Sequence, residues 1–342
     1  MIKALDELQV PFNVWSMYDD AKALDQRYTA SSNFFGFSGQ KLVFAINCIK
    51  AAYKYDKIIL SHINLLLFGK IIKLLKPSAK IILWAHGIEV WKPLPDWKKK
   101  FLREKAEIWS VSDYTKRQLT ELHQVPADRI KVLNNTLDPF LTLASNFVKP
   151  ISILNRRDIS INNFVLFTLT RLSSTEHLKN YDLVIEAVQK LKNLHPQLCY
   201  LIGGKADEME RQRLEQLIEH NKLSDKVKLI GFIDETEIAA YYQSADCFVL
   251  PSKKEGFGLV LIEAAANGCQ VIGGNIDGST DALLNGKLGQ LVNPDDVDAI
   301  AAAIEHAIAN KNHHPKLQQQ LTIEHFGFET YKNKVAQLLT AN

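Results

Sequence analysis

Residues 251–268, PSKKEGFGLVLIEAAANG, decide the fold because they join a strand, a glycine loop and a helix without interruption. An apolar run ends at Leu250, Gly256 and Gly258 follow, and helical periodicity begins near Leu259. Glycines let a backbone approach a ligand closely, and the free N–H groups at a helix start favour an anion. The stretch therefore predicts an anion-binding loop for which a diphosphate is a suitable ligand.

Glu263 lies one turn into this predicted helix, between Ile262 and Ala264. An unpaired carboxylate among such apolar neighbours would be costly. Helical side chains tilt towards the amino end, so Glu263 is expected to point back at the loop. A carboxylate there is placed to accept hydrogen bonds from a ribose diol. From the residues alone, a structural salt bridge is an equal alternative.

Outward from this stretch, apolar runs alternate with helical patterns. Strands are predicted at residues 12–16, 57–61, 80–85, 108–111, 131–133, 163–170, 199–203, 227–230, 247–250 and 270–273. Helices fit between them, for example at 181–193 and 208–221. Continuous apolar strands separated by helices are typical of an α/β fold with a parallel sheet covered on both faces.

The alternation lapses over residues 134–162, a polar segment with Pro139 and Pro150, which is interpreted as an interdomain connection. The sequence therefore predicts two doubly wound, Rossmann-like domains facing a central cleft. Their predicted bounds are residues 1–150 and 151–325, and a helix at about 326–341 is expected to pack back on the first domain. Doubly wound sheets bind ligands outside the carboxyl ends of their strands.

Composition indicates a globular protein whose charge is unevenly distributed. The 342 residues are 46% hydrophobic and 23% charged, which excludes a disordered chain. Residues 1–150 hold 22 Lys and Arg against 14 Asp and Glu, whereas the remainder holds 19 against 24. A basic first half suits an anionic membrane surface, and a merely solvated basic face is an equal alternative. Residues 91–105 mix aromatic and basic side chains, which suits either a peripheral membrane contact or a helix covering the core.

Targeting signals are not recognised in the sequence. The first ten residues are typical of a helix rather than of a signal peptide. The most apolar run, 58–75, is interrupted by His62 and Lys70 and is too polar for a membrane span. The four cysteines have no metal-ligand spacing, as expected of reduced thiols. We therefore expect a cytoplasmic protein, with peripheral attachment to the cytoplasmic membrane face as an option.

The spacing of Glu255 and Glu263 within this stretch resembles the E-x7-E signature of the family-four retaining glycosyltransferases of the GT-B fold, also called glycosyltransferase group 1. The similarity extends closely over residues 163–294 and more loosely over the first half. It implies a nucleotide-sugar donor and retention of anomeric configuration, with Glu255 holding the hydroxyls of the donor sugar and Glu263 the ribose. The other loop residues implied at the donor site are Gly256, Phe257, Gly258 and Leu259.

Further marks of the same family precede this loop. Arg171 ends a predicted strand and Lys179 follows it, and the resemblance implies that both clamp the diphosphate and neutralise charge on the leaving group. From its position alone, Lys179 is as readily a solvated lysine at a helix start. Gly203 would leave room for the nucleotide, and Ile233 marks main-chain recognition of the base. An ordinary glycine turn is the alternative for Gly203.

In the first half, His86 follows a predicted strand within WAHGIEVW, which resembles the acceptor-side loop of the family. The resemblance places this histidine near the transferred sugar, and a structural histidine is the alternative. The sequence departs from the family pattern at its start. Family members begin with a strand and a glycine-rich loop, whereas Met1 falls in the helix expected after them, so that strand and loop are expected to be missing.

The resemblance implies a retaining hexosyltransferase that moves sugar to a glycan or lipid-linked glycan acceptor, in surface polysaccharide or glycoconjugate biosynthesis. The leaving phosphate would itself help to deprotonate the acceptor hydroxyl. Because no Asp-x-Asp is placed at a strand end, neither a metal nor another cofactor is expected, and no nucleic-acid partner is expected. The alternatives are a soluble sugar-phosphate or glucan synthase and a non-catalytic nucleotide-sugar-binding or scaffold subunit. A dehydrogenase is disfavoured because no G-x-G-x-x-G follows a strand.

Overall fold

The computed structural model describes residues 1–310 and 312–341 and divides the chain into two compact units. The first unit comprises Met1–Asn135 together with Phe328–Asn342. The second unit is Thr136–Gly327. The division at Asn135 lies earlier than the boundary predicted at residue 150.

The earlier boundary follows from the bonds of the segment that precedes residue 150. The Ala144 N–H donates to Asn267 Oδ1 at 3.1 Å. Lys149 forms an ion pair with Asp246 at 2.5 Å. Both partners belong to the second unit, so most of the polar segment interpreted as a connection is part of that unit.

The first unit contains two parallel sheets. The smaller sheet pairs β1 (Val14–Ser16) with β2 (Phe34–Gly36). The strands of the larger sheet, in spatial order, are β3 (Lys57–Leu60), β4 (Lys80–Ala85), β5 (Ala106–Ser110) and β6 (Ile130–Val132). The helices before the second unit are α1 (Ile2–Glu7), α2 (Lys41–Lys54), α3 (Leu66–Leu75), α4 (Asp96–Glu104) and α5 (Asp113–His123).

The second unit is built on one parallel sheet with the spatial order β12-β11-β10-β7-β8-β9. Its strands are β7 (Phe164–Leu169), β8 (Leu198–Gly203), β9 (Val227–Gly231), β10 (Cys247–Leu250), β11 (Gln270–Gly274) and β12 (Gln290–Val292). Its helices are α6 (Ile151–Arg156), α7 (Tyr181–Leu191), α8 (Glu208–His220), α9 (Glu235–Ser244), α10 (Leu259–Ala266), α11 (Ser279–Ala282), α12 (Val297–Ala309) and α13 (Pro315–Phe326).

The strand order of the second unit creates a topological switch point. The chain runs from β7 outward through β8 to β9, and then returns to β10 on the other side of β7 before continuing to β11 and β12. The connections after β7 and β10 therefore diverge, and a crevice forms outside the carboxyl ends of these two strands. Any ligand of this unit is expected at that crevice.

The last helix, α14 (Phe328–Thr340), packs within the first unit. Its Tyr331 and Val335 share a buried apolar cluster with Ala4 and Leu5 of α1. Helix α14 therefore lies on the first domain, where the sequence analysis expected the last helix. This packing covers one side of the larger sheet, since Ile82 and Trp109 belong to the same cluster.

Candidate functional site

The loop after β10 turns into α10 at the switch point of the second unit. Strand β10 is buried throughout and ends at Leu250. Gly258, the residue before α10, takes φ +96°, a conformation that glycine adopts readily and other residues rarely. The first N–H groups of α10 have no partners within the helix, so this end of the helix carries partial positive charge. The local structure is therefore a glycine turn that leads into a helix start, an arrangement that can accept an anion.

Lys179 and Glu255 form an ion pair between the segment after β7 and the loop after β10, joining Nζ to Oε1. Their side chains are 21% and 16% exposed, so the pair is largely shielded from solvent. Asn180 holds Lys179 in place: it adopts φ +55°, and its amide donates to the carbonyls of Pro251 at 3.0 Å and Pro294 at 2.7 Å. The structure thus brings two predicted site residues into direct contact.

Arg171 lies at the same edge of the sheet but bonds to a different carboxylate. Its guanidinium pairs with Glu176, and its side chain is 70% exposed. Exposed ion pairs of this kind contribute little to stability. Arg171 can therefore change partner without cost to the fold, but in this structure it is bonded to Glu176 rather than to the Lys179–Glu255 pair.

Glu263 is a largely buried carboxyl on α10. Burial raises its pKa, and the nearby charge of Asp138 adds to this effect. The fully buried Tyr242 donates its hydroxyl to Glu263 Oε2 at 3.0 Å. The sequence analysis gave a structural salt bridge as the alternative role of Glu263. Among the described residues, 1–310 and 312–341, Glu263 forms no such salt bridge. A carboxylate has more acceptor sites than this one bond uses, so Glu263 retains capacity for further hydroxyl donors.

Gly203 and Ile233 lie together at the carboxyl end of β8. A Cβ placed on Gly203 would lie 2.7 Å from Ile233 Cδ1, so no larger residue fits there without displacement. The following Gly204 takes φ +134°, and a Cβ there would lie 1.7 Å from the Thr170 carbonyl oxygen. These glycines keep the carboxyl ends of β7 and β8 close together. The Ile233 side chain is itself buried, which leaves its main chain as the group available for recognition.

The remaining loop residues have different environments. Phe257 is buried, and its ring meets that of Phe326 edge-on at 5.4 Å between centroids. Its side chain therefore anchors the loop, and only its main chain is suited to contact a ligand. The backbone of Gly256 lies so close to the next loop that a Cβ on Gly278 would be 2.2 Å from the Gly256 oxygen. Leu259 opens α10 and is 42% exposed.

Three residues that hold this site together were not named as site residues from the sequence: Asn180, Tyr242 and Asp277. Asp277 is fully buried and accepts hydrogen bonds from the N–H of Glu255 at 2.6 Å and of Ser279 at 2.9 Å. A signal did exist for Asp277, since it lies in the glycine-rich segment 273–279 that directly follows an apolar strand.

His86 belongs to the first unit and follows β4. Its backbone N–H donates to Glu89 Oε1 at 2.6 Å, and its ring lies 4.6 Å from that of Trp84. Burial lowers the pKa of the ring, which keeps the imidazole neutral near neutral pH. Gly87 takes φ +126° and reverses the chain directly after the strand. His86 therefore sits at a strand end with a defined ring environment.

Among the residues that the structure describes, no group of three or more His, Cys, Asp or Glu side chains is arranged to hold a metal ion. Over the same residues, no helix is long and apolar enough to cross a membrane.

Comparison with known proteins identifies the second unit. Residues 156–322 match the family Glycosyl transferases group 1. The glycogen synthase of Mycobacterium tuberculosis is 31% identical over 264 residues, covering 75% of this chain and 57% of that protein. The O-antigen chain mannosyltransferase B of Escherichia coli is 26% identical, covering 58% of this chain and 50% of that protein. The matched region therefore spans about half the length of these relatives.

The fold agrees with that of a solved structure over nearly its full length. The crystal structure of Anabaena HepE in complex with UDP and glucose superposes with a TM-score of 0.80, covering 99% of this chain and 94% of that chain at 20% identity. The fold is thus that of the GT-B glycosyltransferases. Together with the group 1 match over residues 156–322, this fold supports a family-four-like glycosyltransferase of the GT-B type.

Proposed function

We propose that this protein is a retaining glycosyltransferase that moves a hexose from a nucleotide sugar to a glycan or lipid-linked glycan acceptor. The observation that carries the proposal is the Lys179–Glu255 pair beside the start of α10 at the switch point. The cation and the helix start suit the diphosphate of a nucleotide sugar, and the carboxylate suits the hydroxyls of its sugar. The group 1 match over residues 156–322 and the HepE complex with UDP and glucose support the donor class.

The site residues would act mainly by positioning and charge stabilisation. On donor binding, Lys179 would exchange Glu255 for the diphosphate, and Arg171 would leave Glu176 for the same anion. Glu255, released from Lys179, would accept hydrogen bonds from hydroxyls of the donor sugar. Glu263 would hold the ribose, oriented by the hydroxyl of Tyr242.

The transfer itself needs no protein base in this proposal. The bond between the anomeric carbon and the leaving phosphate oxygen breaks, and the acceptor oxygen bonds to that carbon on the same face. The acceptor proton passes to the leaving phosphate, so charge and protons balance within the reactants. His86, whose ring is neutral, would contribute on the acceptor side as a hydrogen-bond partner.

A polysaccharide or lipid-linked acceptor is supported by the similarity to the O-antigen mannosyltransferase and by the surface of the first unit. Helices α2 and α3 expose large apolar side chains, including Leu42 at 81% and Leu74 at 75%. Lys50 and Lys70, on the same two helices, are also exposed. Apolar side chains interspersed with lysines suit the interface of an anionic membrane.

The stretch 91–105 contributes little to this surface. Its Leu94, Phe101 and Leu102 are buried, and they pack in the core of the first unit. Trp97 is 36% exposed, and Lys70 Nζ lies 5.5 Å from its ring. The stretch therefore covers the core with most of its apolar residues, and the exposed apolar groups lie chiefly on α2 and α3.

A soluble glucan synthase is the second candidate, favoured by the 31% identity to a glycogen synthase. The decisive experiment has two stages. A panel of nucleotide sugars is screened by thermal shift, where a ligand at a hundred times its Kd adds about 2.7 kcal/mol of stability. The donor found is then offered to lipid-linked, soluble glucan and sugar-phosphate acceptors, with and without EDTA.

We expect retained configuration, transfer to the lipid-linked acceptor and no loss of activity in EDTA. Transfer only to a soluble glucan or sugar phosphate would favour the second candidate. Donor binding without transfer to any acceptor would indicate a binding or scaffold subunit. Activity abolished by EDTA and restored by magnesium would contradict the expected metal independence.

A further inference from the structure

The loop after β11 lies flat against the loop after β10, main chain to main chain. A Cβ on Gly274 would lie 2.2 Å from the Ser252 oxygen, and a Cβ on Gly278 would lie 2.2 Å from the Gly256 oxygen. Side chains are thus excluded from the contact at both ends. What holds the two loops in register must therefore be hydrogen bonding between them.

Those hydrogen bonds converge on one residue of the loop, Glu255. Asp277 Oδ2 accepts from the Glu255 N–H at 2.6 Å. The Gly278 N–H donates to the Glu255 carbonyl at 2.8 Å. Both peptide groups that flank the Glu255 Cα are fixed in this way, so the direction in which its side chain leaves the backbone is fixed as well.

The chemistry of this contact requires a carboxylate. Asp277 Oδ1 accepts from the Ser279 N–H at 2.9 Å while Oδ2 accepts from Glu255, so each oxygen faces a donor. An asparagine would place its NH2 group against one of the two N–H donors. The carboxylate of Glu255 is a charged neighbour of Asp277, and Glu255 is itself paired with Lys179.

We propose that Asp277 is a positioning residue for the sugar end of the donor site: it orients Glu255 towards the transferred sugar without contacting the donor. This inference rests on the proposed function, since it assigns a role within that same site. Glu263 is held separately, by Tyr242 from α9. Loss of Asp277 therefore disturbs handling of the sugar and leaves binding of the nucleotide intact.

A simpler role is available to Asp277, because it accepts the N–H of Ser279, the first residue of the short helix α11. Support of this helix alone would change the stability of the protein. It would not alter the affinity for the nucleotide sugar relative to the affinity for the nucleoside diphosphate. The two roles are separated by comparing a nucleoside diphosphate with its nucleotide sugar. UDP and UDP-glucose are the first probes, replaced by another matched pair if the thermal-shift panel selects one.

The variants are Asp277→Asn, which keeps one acceptor oxygen, and Gly278→Ala, which pushes the same loops apart and leaves the carboxylate in place. Asp246→Asn is the matched control, since Asp246 also accepts a backbone N–H, that of Val165 at 2.7 Å, before the opposite end of β10. Affinities are measured by calorimetry on the full chain well below its unfolding temperature, and kcat and KM are measured for transfer.

We expect Asp277→Asn and Gly278→Ala to lower kcat by about 10- to 100-fold, as misplacement of a positioning group does, with the affinity for UDP changed less than about twofold. Asp246→Asn should leave both unchanged. Unchanged kcat in both site variants, or equal losses of UDP and UDP-glucose affinity, would overturn the positioning role. A wild-type protein that binds no nucleotide sugar would instead refute the proposed function itself.

Discussion

At the scale of single residues, the three carboxylates of the candidate site differ in their bonding partners. Glu255 faces the cation of Lys179, Glu263 faces a phenol, and Asp277 faces two backbone N–H groups. Glu255 can exchange its partner for a ligand, whereas both oxygens of Asp277 are already used by hydrogen bonds that hold the loops together. The spacing of Glu255 and Glu263 was readable in the sequence, but these partners were not, because each comes from a distant segment.

Removal of Glu263 or Arg171 should weaken donor binding and leave the fold intact. We expect Glu263→Ala and Arg171→Ala each to raise the Kd for the nucleotide sugar by about 10- to 100-fold, the worth of a hydrogen bond to a charged group. Arg156→Ala is the control, because Arg156 forms a similarly exposed ion pair with Glu237 elsewhere in the unit. Isothermal titration calorimetry that showed donor affinity unchanged in both site variants would refute the assignment.

The stability of the protein should carry a pH dependence that belongs to Asp277. Burial raises the pKa of this carboxyl from 3.8 to about 6. Because the folded state holds the proton more tightly than the unfolded state, the free energy of unfolding falls as the pH rises through this window. The shift corresponds to about 3 kcal/mol. As the pH rises from about 4 to about 7, Asp277→Asn should therefore gain stability relative to wild type. The free energy of unfolding of both proteins is measured by urea unfolding across this range. The same dependence on pH in both proteins would contradict the prediction.

At the scale of elements, the site depends on connections between strand ends. The strands themselves were largely predictable, because continuous apolar runs such as that of β10 are typical of buried parallel strands. Strands β2 and β12 were not predicted from the sequence, although β1 and β6, which are equally short, were. The linkage of the loops was also beyond prediction, since Asn180 reaches carbonyls more than seventy residues away.

Asn180 should prove necessary for both stability and donor binding. Its replacement by alanine removes two hydrogen bonds and leaves the carbonyls of Pro251 and Pro294 unpaired. We expect the free energy of unfolding to fall by about 2–3 kcal/mol and the donor affinity to fall with it. Asn285→Ala is the control, because Asn285 has nearly the same backbone conformation, φ 54°, but is exposed. Equal losses in the two variants on urea unfolding would show that backbone strain alone is responsible.

At the scale of the whole molecule, the sequence predicted an α/β chain with two domains, and the structure divides the chain into two compact units. The predicted boundary at residue 150 differed because segment 136–150 is held by individual bonds, such as that of Ala144 to Asn267, which leave no periodic signal. The basic character of the first half was countable from the sequence. The sequence did not show which side chains the first half exposes, since the aromatic stretch 91–105 buries Leu94 and Phe101.

The exposed residues of α2 and α3 make a membrane test specific. We expect the full chain to co-sediment with anionic vesicles at low salt and to be released at high salt, because each lysine near the surface contributes about 1 kcal/mol. Leu42→Glu combined with Leu74→Glu should reduce binding by about tenfold or more, since both apolar contacts are lost.

Leu194→Glu is the matched control for this pair, because Leu194 is 68% exposed in the second unit, comparable to Leu42 at 81% and Leu74 at 75%. It adds a charge to the acidic half, where no lipid contact is expected, so it should bind vesicles like wild type. Neutral vesicles should bind the wild-type chain weakly at every salt concentration. Binding that ignores lipid charge, or that falls equally in the control, would exclude α2 and α3 as the membrane surface and favour a soluble acceptor.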